Sequence, residues 1–409
     1  MGSHVQSAKK GRPASTRLLA TYPYVSMQGW ISAGRSLMIS IASPLLGMEE
    51  REAILQVLLS GQLAQGAQVA AFEQSFARIC SVEEAVAVSS GTAALHLALL
   101  AHGIGPGDEV ITTAFSFAAT ANVILLVGAT PVFVDIEPDT YNIDPLLVER
   151  AITARTKAII PVHLYGHPCD MKRLCELAAT HNLAIIEDAC QAHMASIDGK
   201  PVGSFGTGCF SFYATKNMTT GEGGMVTTND PAIAERVRLF RSHGQQERYK
   251  HHALGYNLRM TELQGALGVV QVEKLKKLTE QRIANATFLT EKLQKFVKTP
   301  VTRSGCCHVF HQYTIYIAGS RINRSEWVNQ LRDRGVGTAI HYPLPIYKQP
   351  FYQQNLDKYR FVGESETFSE TSLPVTEAAA HRVLSLPVHP ALSKEDLAVV
   401  AREVLKLCN

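Results

Sequence analysis

The chain has 409 residues, 46% of them hydrophobic and 18% charged, with a formal net charge of +3. That length suffices for two domains and a large core, and so small a charge, with its basic residues scattered, excludes a nucleic-acid footprint and a membrane-surface patch. No run approaches the roughly 18 apolar residues of a membrane span. None of the eight cysteines is spaced as a metal-ligand pair, and Cys169, Cys175, Cys190 and Cys209 sit in apolar segments, as buried thiols do. A reducing cytoplasm is therefore expected.

In chain order, residues 1–38 read as an N-terminal extension. Met1-Gly2-Ser3-His4 resembles an expression-tag remnant, Lys9 to Pro13 is polar and basic, and no apolar signal core follows. Amphipathic helices are predicted over 49–60, with Ile54, Val57 and Leu58 on one face, and over 69–79, with Phe72 and Phe76 four apart. Strands at 85–88, 109–112, 131–135, 157–162 and 184–187 then alternate with helices at 91–102, 120–127, 145–152 and 171–181. Such spacing implies parallel pairing through right-handed crossovers. The strands are continuously apolar, so both sheet faces should be covered.

Past a strand at 225–228, helices are expected at 231–241 and from about 261 to 297, the latter broken near 274–279. A strand at 313–317, a helix at 325–334, a strand at 337–340 and a helix at 394–407 complete the pattern. The expected class is α/β: a large domain over 39–285 with a mostly parallel central sheet flanked by helices, then a smaller C-terminal α+β domain over 286–409.

The residues that carry chemistry stand at strand ends. Ser89-Ser90-Gly91-Thr92 opens a helix after a strand, where free N–H groups and the helix dipole bind a phosphate, Gly91 allows close approach, and Thr92 adds a hydroxyl. Phe115 follows the next strand end and could stack on a planar ring, whereas Phe117 is expected in the core. Asp188 and Gln191 end a further strand, an acid for a ring N–H⁺ and an amide for a ring oxygen. Lys216 lies in the connection after Ser211, before the turn Gly221-Glu222-Gly223-Gly224. An aldehyde cofactor needs such a pair: an amine to bond its carbon and a carboxylate to keep its pyridine nitrogen protonated.

Five segments together resemble the DegT/DnrJ/EryC1/StrS family of fold-type-I pyridoxal-phosphate sugar aminotransferases: Ser89 to Ala94, Pro161 to Gly166, Glu187 to His193, Ser211 to Lys216, and Gly255 to Met260. The resemblance runs from about Ser40 to about Ala401, with Cys190 where alanine is frequent. It implies that Lys216 bonds the cofactor and shuttles the proton, Asp188 pairs with the ring nitrogen, Gln191 contacts the ring oxygen, and Phe115 stacks on the ring. Gly91, Thr92 and Ser211 would hold the phosphate, and Asn257 would reach it from the neighbouring subunit of a homodimer with shared active sites. The implied reaction moves an amino group from an amino acid, glutamate by analogy, to a keto-sugar, usually nucleotide-linked. Amination of a cyclitol or formation of an aminobenzoate shares all these motifs, and a regulatory protein on the same fold is a further alternative. Lys216 argues against the family's sugar 3-dehydratases, which carry histidine there. His163 is either near substrate or in the core, and 245–252 and His341-Tyr342-Pro343 are expected to shape substrate choice.

Overall fold

The computed structural model describes residues 38–317, 322–362 and 373–408. The extension and its tag-like start lie outside these residues. Two helices come first, α1 (Met48–Ser60) and α2 (Ala67–Cys80). The alternating part follows as β1 (Glu84–Val88), α3 (Gly91–Ala101), β2 (Glu109–Thr113), α4 (Ala119–Leu126), β3 (Thr130–Val134), α5 (Pro145–Ala151), β4 (Thr156–Ile160), α6 (Met171–His181) and β5 (Ala184–Asp188). A small ribbon, β6 (Ser196–Ile197) and β7 (Lys200–Pro201), leads to β8 (Thr207–Ser211), β9 (Gly224–Thr228) and α7 (Pro231–Arg241). The hairpin β10 (Gln245–Glu247) and β11 (Lys250–His251) precedes α8 (Glu262–Leu293). The remainder is β12 (Cys306–Cys307), β13 (Tyr313–Tyr316), α9 (Arg324–Asp333), α10 (Pro350–Gln353), β14 (Arg360–Val362), α11 (Pro374–Arg382), β15 (Val383–Leu386) and α12 (Lys394–Cys408).

Eight strands form one sheet in the order β1-β9-β8-β5-β4-β2-β3-β14. Only β9 runs against its neighbours, β1 and β8; the pairs from β8 through β14 are parallel. The reason is local: β8 and β9 are joined without a helix, so the chain turns straight back. Alternation along the strands divides the core. Val86, Val88, Cys209 and Val226 face α3 and α7 with Leu95, Leu97 and Val237. Ala85, Ala87, Phe210 and Met225 face the other way, into an aromatic cluster with Phe72, Phe76 and Phe212. The strand order breaks between β1 and β2, which are neighbours in sequence but lie on opposite sides of β5. Such a break opens a crevice at the carboxyl ends of the strands.

The second half departs from expectation in several places. Helix α8 is unbroken over 32 residues, started by a capping box of Thr261 and Gln264. Its charged stretch near 274–279 is a solvated face carrying Lys274, whose Nζ lies 2.8 Å from Glu50 Oε2, while Leu275 and Leu278 stay buried. The strand expected at 337–340 is reduced to isolated bridges, Ile39 to Val336 and Ala339 to Ser385. The strand that Ala339 meets is β15, which pairs antiparallel with β13 and had no clear signal in the sequence. Strand β14 also went unanticipated. It joins β3 and is fastened by Arg360, whose Nη2 donates to Glu109 Oε2 at 3.0 Å. On α1, only Val57 of the predicted apolar face is buried; Leu58 is 54% exposed, beside exposed Leu55 and Leu59.

Candidate active site

At the carboxyl ends of β1, β5 and β8 lies a cavity of about 450 Å³, walled by Gly91, Thr92, Asp188, Gln191, Ser211 and Lys216 among others. Its floor depends on close backbone approach. Ser90 caps α3, its Oγ accepting from Ala93 N at 3.1 Å, which leaves the N–H groups of Gly91 and Thr92 at the helix mouth. A Cβ on Gly91 would stand 2.7 Å from Ser211 Cβ and 2.9 Å from Cys190 Sγ; one on Gly224 would stand 2.3 Å from Ser90 O. Glycine at these two positions lets the helix mouth, the end of β8 and the start of β9 meet.

Asp188 is 5% exposed at the end of β5. Its Oδ2 accepts from Thr120 Oγ1 at 2.8 Å, and its Oδ1 from Cys190 N at 3.3 Å. The Gln191 amide is oriented by its surroundings: Oε1 accepts from Tyr165 N at 2.8 Å, so Nε2 faces Tyr342 and donates to its hydroxyl at 3.0 Å. Lys216 follows a turn in which its N–H donates to Tyr213 O at 2.9 Å. Burial pulls its pKa below the usual lysine value, opposed in part by the nearby Cys190 and Asp188 side chains. An ammonium in so dry a place gives up its proton more readily than one in water.

The two phenylalanines exchange the places expected for them. Phe115 is fully buried, in a cluster with Tyr141, Val162 and Tyr165, and does not line the cavity. Phe117 is 61% exposed and does line it, its ring centroid 6.3 Å from that of Tyr342. The turn after β2 points Phe115 back under the sheet edge, where Phe115 N bonds Thr113 Oγ1 at 3.0 Å. Asn257 is exposed, bridged to Ser242, and does not line the cavity of its own chain. The hairpin over 245–251 does not line it either. His163 is a core residue: Nε2 lies 3.1 Å from Glu187 Oε2, and Nδ1 accepts from Cys169 N at 3.0 Å.

Several wall residues escaped sequence reasoning. Ser116 and Thr120 line the cavity, as do His311 and Gln312 from the segment before β13. His341 and Tyr342, flagged only as substrate-shaping, form the facing side. His311 Nδ1 lies 3.2 Å from Asn217 Oδ1, and burial, with Lys216 and Arg282 nearby, holds its pKa well below the usual histidine range. Burial and Lys216 push His341 down to about 4, with Nδ1 3.1 Å from Ser385 Oγ. The two imidazoles are therefore neutral near pH 7. No strand or helix period marked Ser116, His311, Gln312, His341 and Tyr342, because loops deliver them, while Thr120 stands in the first turn of α4. Among the described residues no His, Cys, Asp and Glu cluster could hold a metal ion.

Pyridoxal phosphate fits this donor set. A glycine-lined helix mouth suits a phosphate, and a buried carboxylate, an oriented amide and a half-buried amine share the same cavity. Residues 44–405 match the DegT/DnrJ/EryC1/StrS aminotransferase family. A pleiotropic regulatory protein of Geobacillus stearothermophilus is 43% identical over 85% of this chain and 91% of its own length. The dTDP-3-amino-3,4,6-trideoxy-alpha-D-glucose transaminase of Streptomyces venezuelae is 41% identical over 85% of this chain and 89% of its own. The crystal structure of S. venezuelae DesV in complex with a ketimine intermediate superposes with a TM-score of 0.83 at 40% identity, covering 88% of this chain and 95% of that one. The chain belongs to the DegT/DnrJ/EryC1/StrS aminotransferase family and is a pyridoxal-phosphate-dependent aminotransferase.

Proposed function

We propose that the protein aminates the keto group of a nucleotide-linked sugar, with an amino acid, glutamate, as donor. The observation that carries this is one cavity holding the half-buried Lys216 together with Asp188, Gln191 and the mouth of α3. The S. venezuelae relative, named for a dTDP-linked amino sugar, supports the substrate class. Pyridoxal phosphate, when bound, supplies an aldehyde that takes up amines and a ring that accepts electrons from the adjacent carbon. Lys216 would hold its aldehyde carbon, Asp188 its ring nitrogen, Gln191 its ring oxygen, and Gly91, Thr92 and Ser211 its phosphate. Phe117 replaces Phe115 as the ring-stacking residue, since it is the phenylalanine that reaches the cavity.

Lys216 does the proton work. Its lowered pKa makes the neutral amine accessible, able to take the Cα proton of the donor and return it to the acceptor side. The neutral imidazoles of His311 and His341 add no positive charge that would repel the ammonium form once it carries the proton.

The same reading makes the enzyme a homodimer with shared sites. Asn257 is exposed and away from its own cavity, where a residue serving a partner's phosphate would stand. The exposed leucines of α1, with Leu45, Leu46 and Leu63 close in sequence, supply an apolar face for a second copy. The proposed division into a large and a small domain near residue 285 is supported by a change of packing along α8: Leu275 packs in the aromatic cluster, whereas Ala286, Leu289 and Leu293 pack with Trp327 and Val400, although β14 returns to the central sheet. No helix among the described residues is long and apolar enough to cross a membrane, and eight free cysteines suit the reducing cytoplasm.

A panel of nucleotide-linked 3-keto and 4-keto sugars, each incubated with enzyme and glutamate, tests the proposal. Formation of an amino sugar and 2-oxoglutarate in step supports it. Amination only of a cyclitol, or of none of the panel under any donor, overturns it.

A further inference from the structure

Three polar groups at the cavity wall form a chain whose direction is fixed. Thr120, in the first turn of α4, has its Oγ1 2.8 Å from Asp188 Oδ2. Ser116, in the loop before α4, has its Oγ 3.0 Å from Thr120 Oγ1. An ionised carboxylate only accepts, so the single Thr120 hydroxyl proton goes to Asp188. The Thr120 oxygen must then accept the proton of Ser116. All three are nearly excluded from water, Ser116 at 4%, Thr120 at 1% and Asp188 at 5% exposure, and all three line the cavity. The chain also spans the sheet: β4 lies between β2, which leads into Ser116 and Thr120, and β5, which ends in Asp188.

We propose that Ser116 and Thr120 are a directed hydroxyl relay that positions the Asp188 carboxylate for the cofactor's ring nitrogen. Oδ2 takes the Thr120 hydroxyl and Oδ1 the Cys190 N–H, which fixes the rotamer from two sides. A carboxylate has about four acceptor sites, so capacity remains for a ring N–H⁺ approaching from the cavity. A hydroxyl that is itself hydrogen-bonded to a donor is polarised and donates more strongly, so Ser116 acts on Asp188 through Thr120. Thr120 is a positioning residue, as is Ser116. The inference rests on the assignment of Asp188 to the ring nitrogen, and its test separates the two.

Thr120→Val keeps the branched shape and removes the hydroxyl. Each variant is prepared cofactor-free, and its Kd for pyridoxal phosphate is measured by titration alongside kcat and KM for the sugar. Thr120→Val should raise that Kd and lower kcat, each on the order of tenfold, the scale of one hydrogen bond to a charged group, with KM for the sugar little changed. Thr120→Ser should restore both to within about threefold, and Ser116→Ala should show a smaller loss in the same direction. In an Asp188→Asn background the Thr120→Val effect should shrink, because the two act as one unit. If Asp188→Asn is severe while folded Thr120→Val and Ser116→Ala both leave Kd and kcat within twofold, the relay is refuted and the Asp188 assignment stands. If Asp188→Asn is harmless as well, both fall. A Thr120→Ser variant as impaired as Thr120→Val, or an undiminished effect in the Asp188→Asn background, also refutes the relay.

Discussion

The cavity has two sides of different origin. One is made at strand ends: Gly91 and Thr92 after β1, Asp188 at the end of β5, Ser211 at the end of β8, and Lys216 in the turn behind it. The other is made by loops of the C-terminal part, which bring His311, Gln312, His341 and Tyr342 back over the first. A parallel sheet holds strand ends in register to within the precision of its ladder, so the first side suits steps that tolerate no misplacement. Loops vary without disturbing the sheet, so the second side suits the choice of sugar. Changes on the first side should therefore lower turnover with every substrate. Changes on the second should alter KM and substrate preference.

The sharpest test of the first side is Lys216→Ala, which should cut turnover on the order of 10³-fold or more for any sugar. Cofactor should still bind weakly through the helix mouth, readable by equilibrium dialysis. Asp188→Asn should lower kcat on the order of 10²-fold, the size seen when a preorganised electrostatic contact is lost. Steady-state kinetics that show activity within a few-fold would remove Asp188 from its role.

The phenylalanine pair gives a contrast within one turn. Phe117→Ala should weaken cofactor binding about fivefold, as the loss of one aromatic contact does, with little change in thermal stability. Phe115→Ala, at a fully buried position, should instead cost about 3–5 kcal/mol of stability in denaturant melts. The reverse pattern would favour Phe115 as the stacking residue.

The second side carries a pH signature. His341 has a folded pKa of about 4, below the ordinary histidine value, so the unfolded chain binds more protons than the folded one as pH falls below about 6.5. Its contribution is present above that pH and declines as pH drops toward 4. Thermal melts of the cofactor-free protein should show this decline together with that of the other buried histidines, His193, His308 and His311, and His341→Gln should lessen it. The smallest effect belongs to Gln312→Ala: a few-fold rise in KM for the sugar with kcat unchanged, read in initial-rate assays. A fall in kcat at constant KM would place Gln312 with the strand-end residues and blur the comparison.

Legibility in the sequence follows the same division. Strands flanked by helices announce themselves through unbroken apolar runs, so the sheet from β1 to β5 was predicted to within a residue or two, and with it the positions of Gly91, Asp188 and Ser211. Strands β14 and β15 are three and four residues long and owe their existence to distant partners, Val132 to Val134 and Tyr313 to Tyr316. No local period encodes such pairing. Phe115 and Phe117 were exchanged because both stand two residues apart in an irregular turn, where the side each faces depends on the backbone path and not on hydrophobicity. Thr120 was read as a helix start, and only its reach across β4 to Asp188 reveals more. Leu58 of α1 read as part of an apolar face by period, yet it is exposed, beside exposed Leu55 and Leu59.

The central claim is that Lys216 is the amine that bonds the cofactor. Borohydride reduction of the protein loaded with pyridoxal phosphate, followed by proteolysis and mass mapping, tests it most directly. The pyridoxyl mass should appear on the peptide containing Lys216, and Lys216→Ala should carry none. Its appearance on a different lysine of the wild-type protein, or an undiminished yield from Lys216→Ala, would contradict the account.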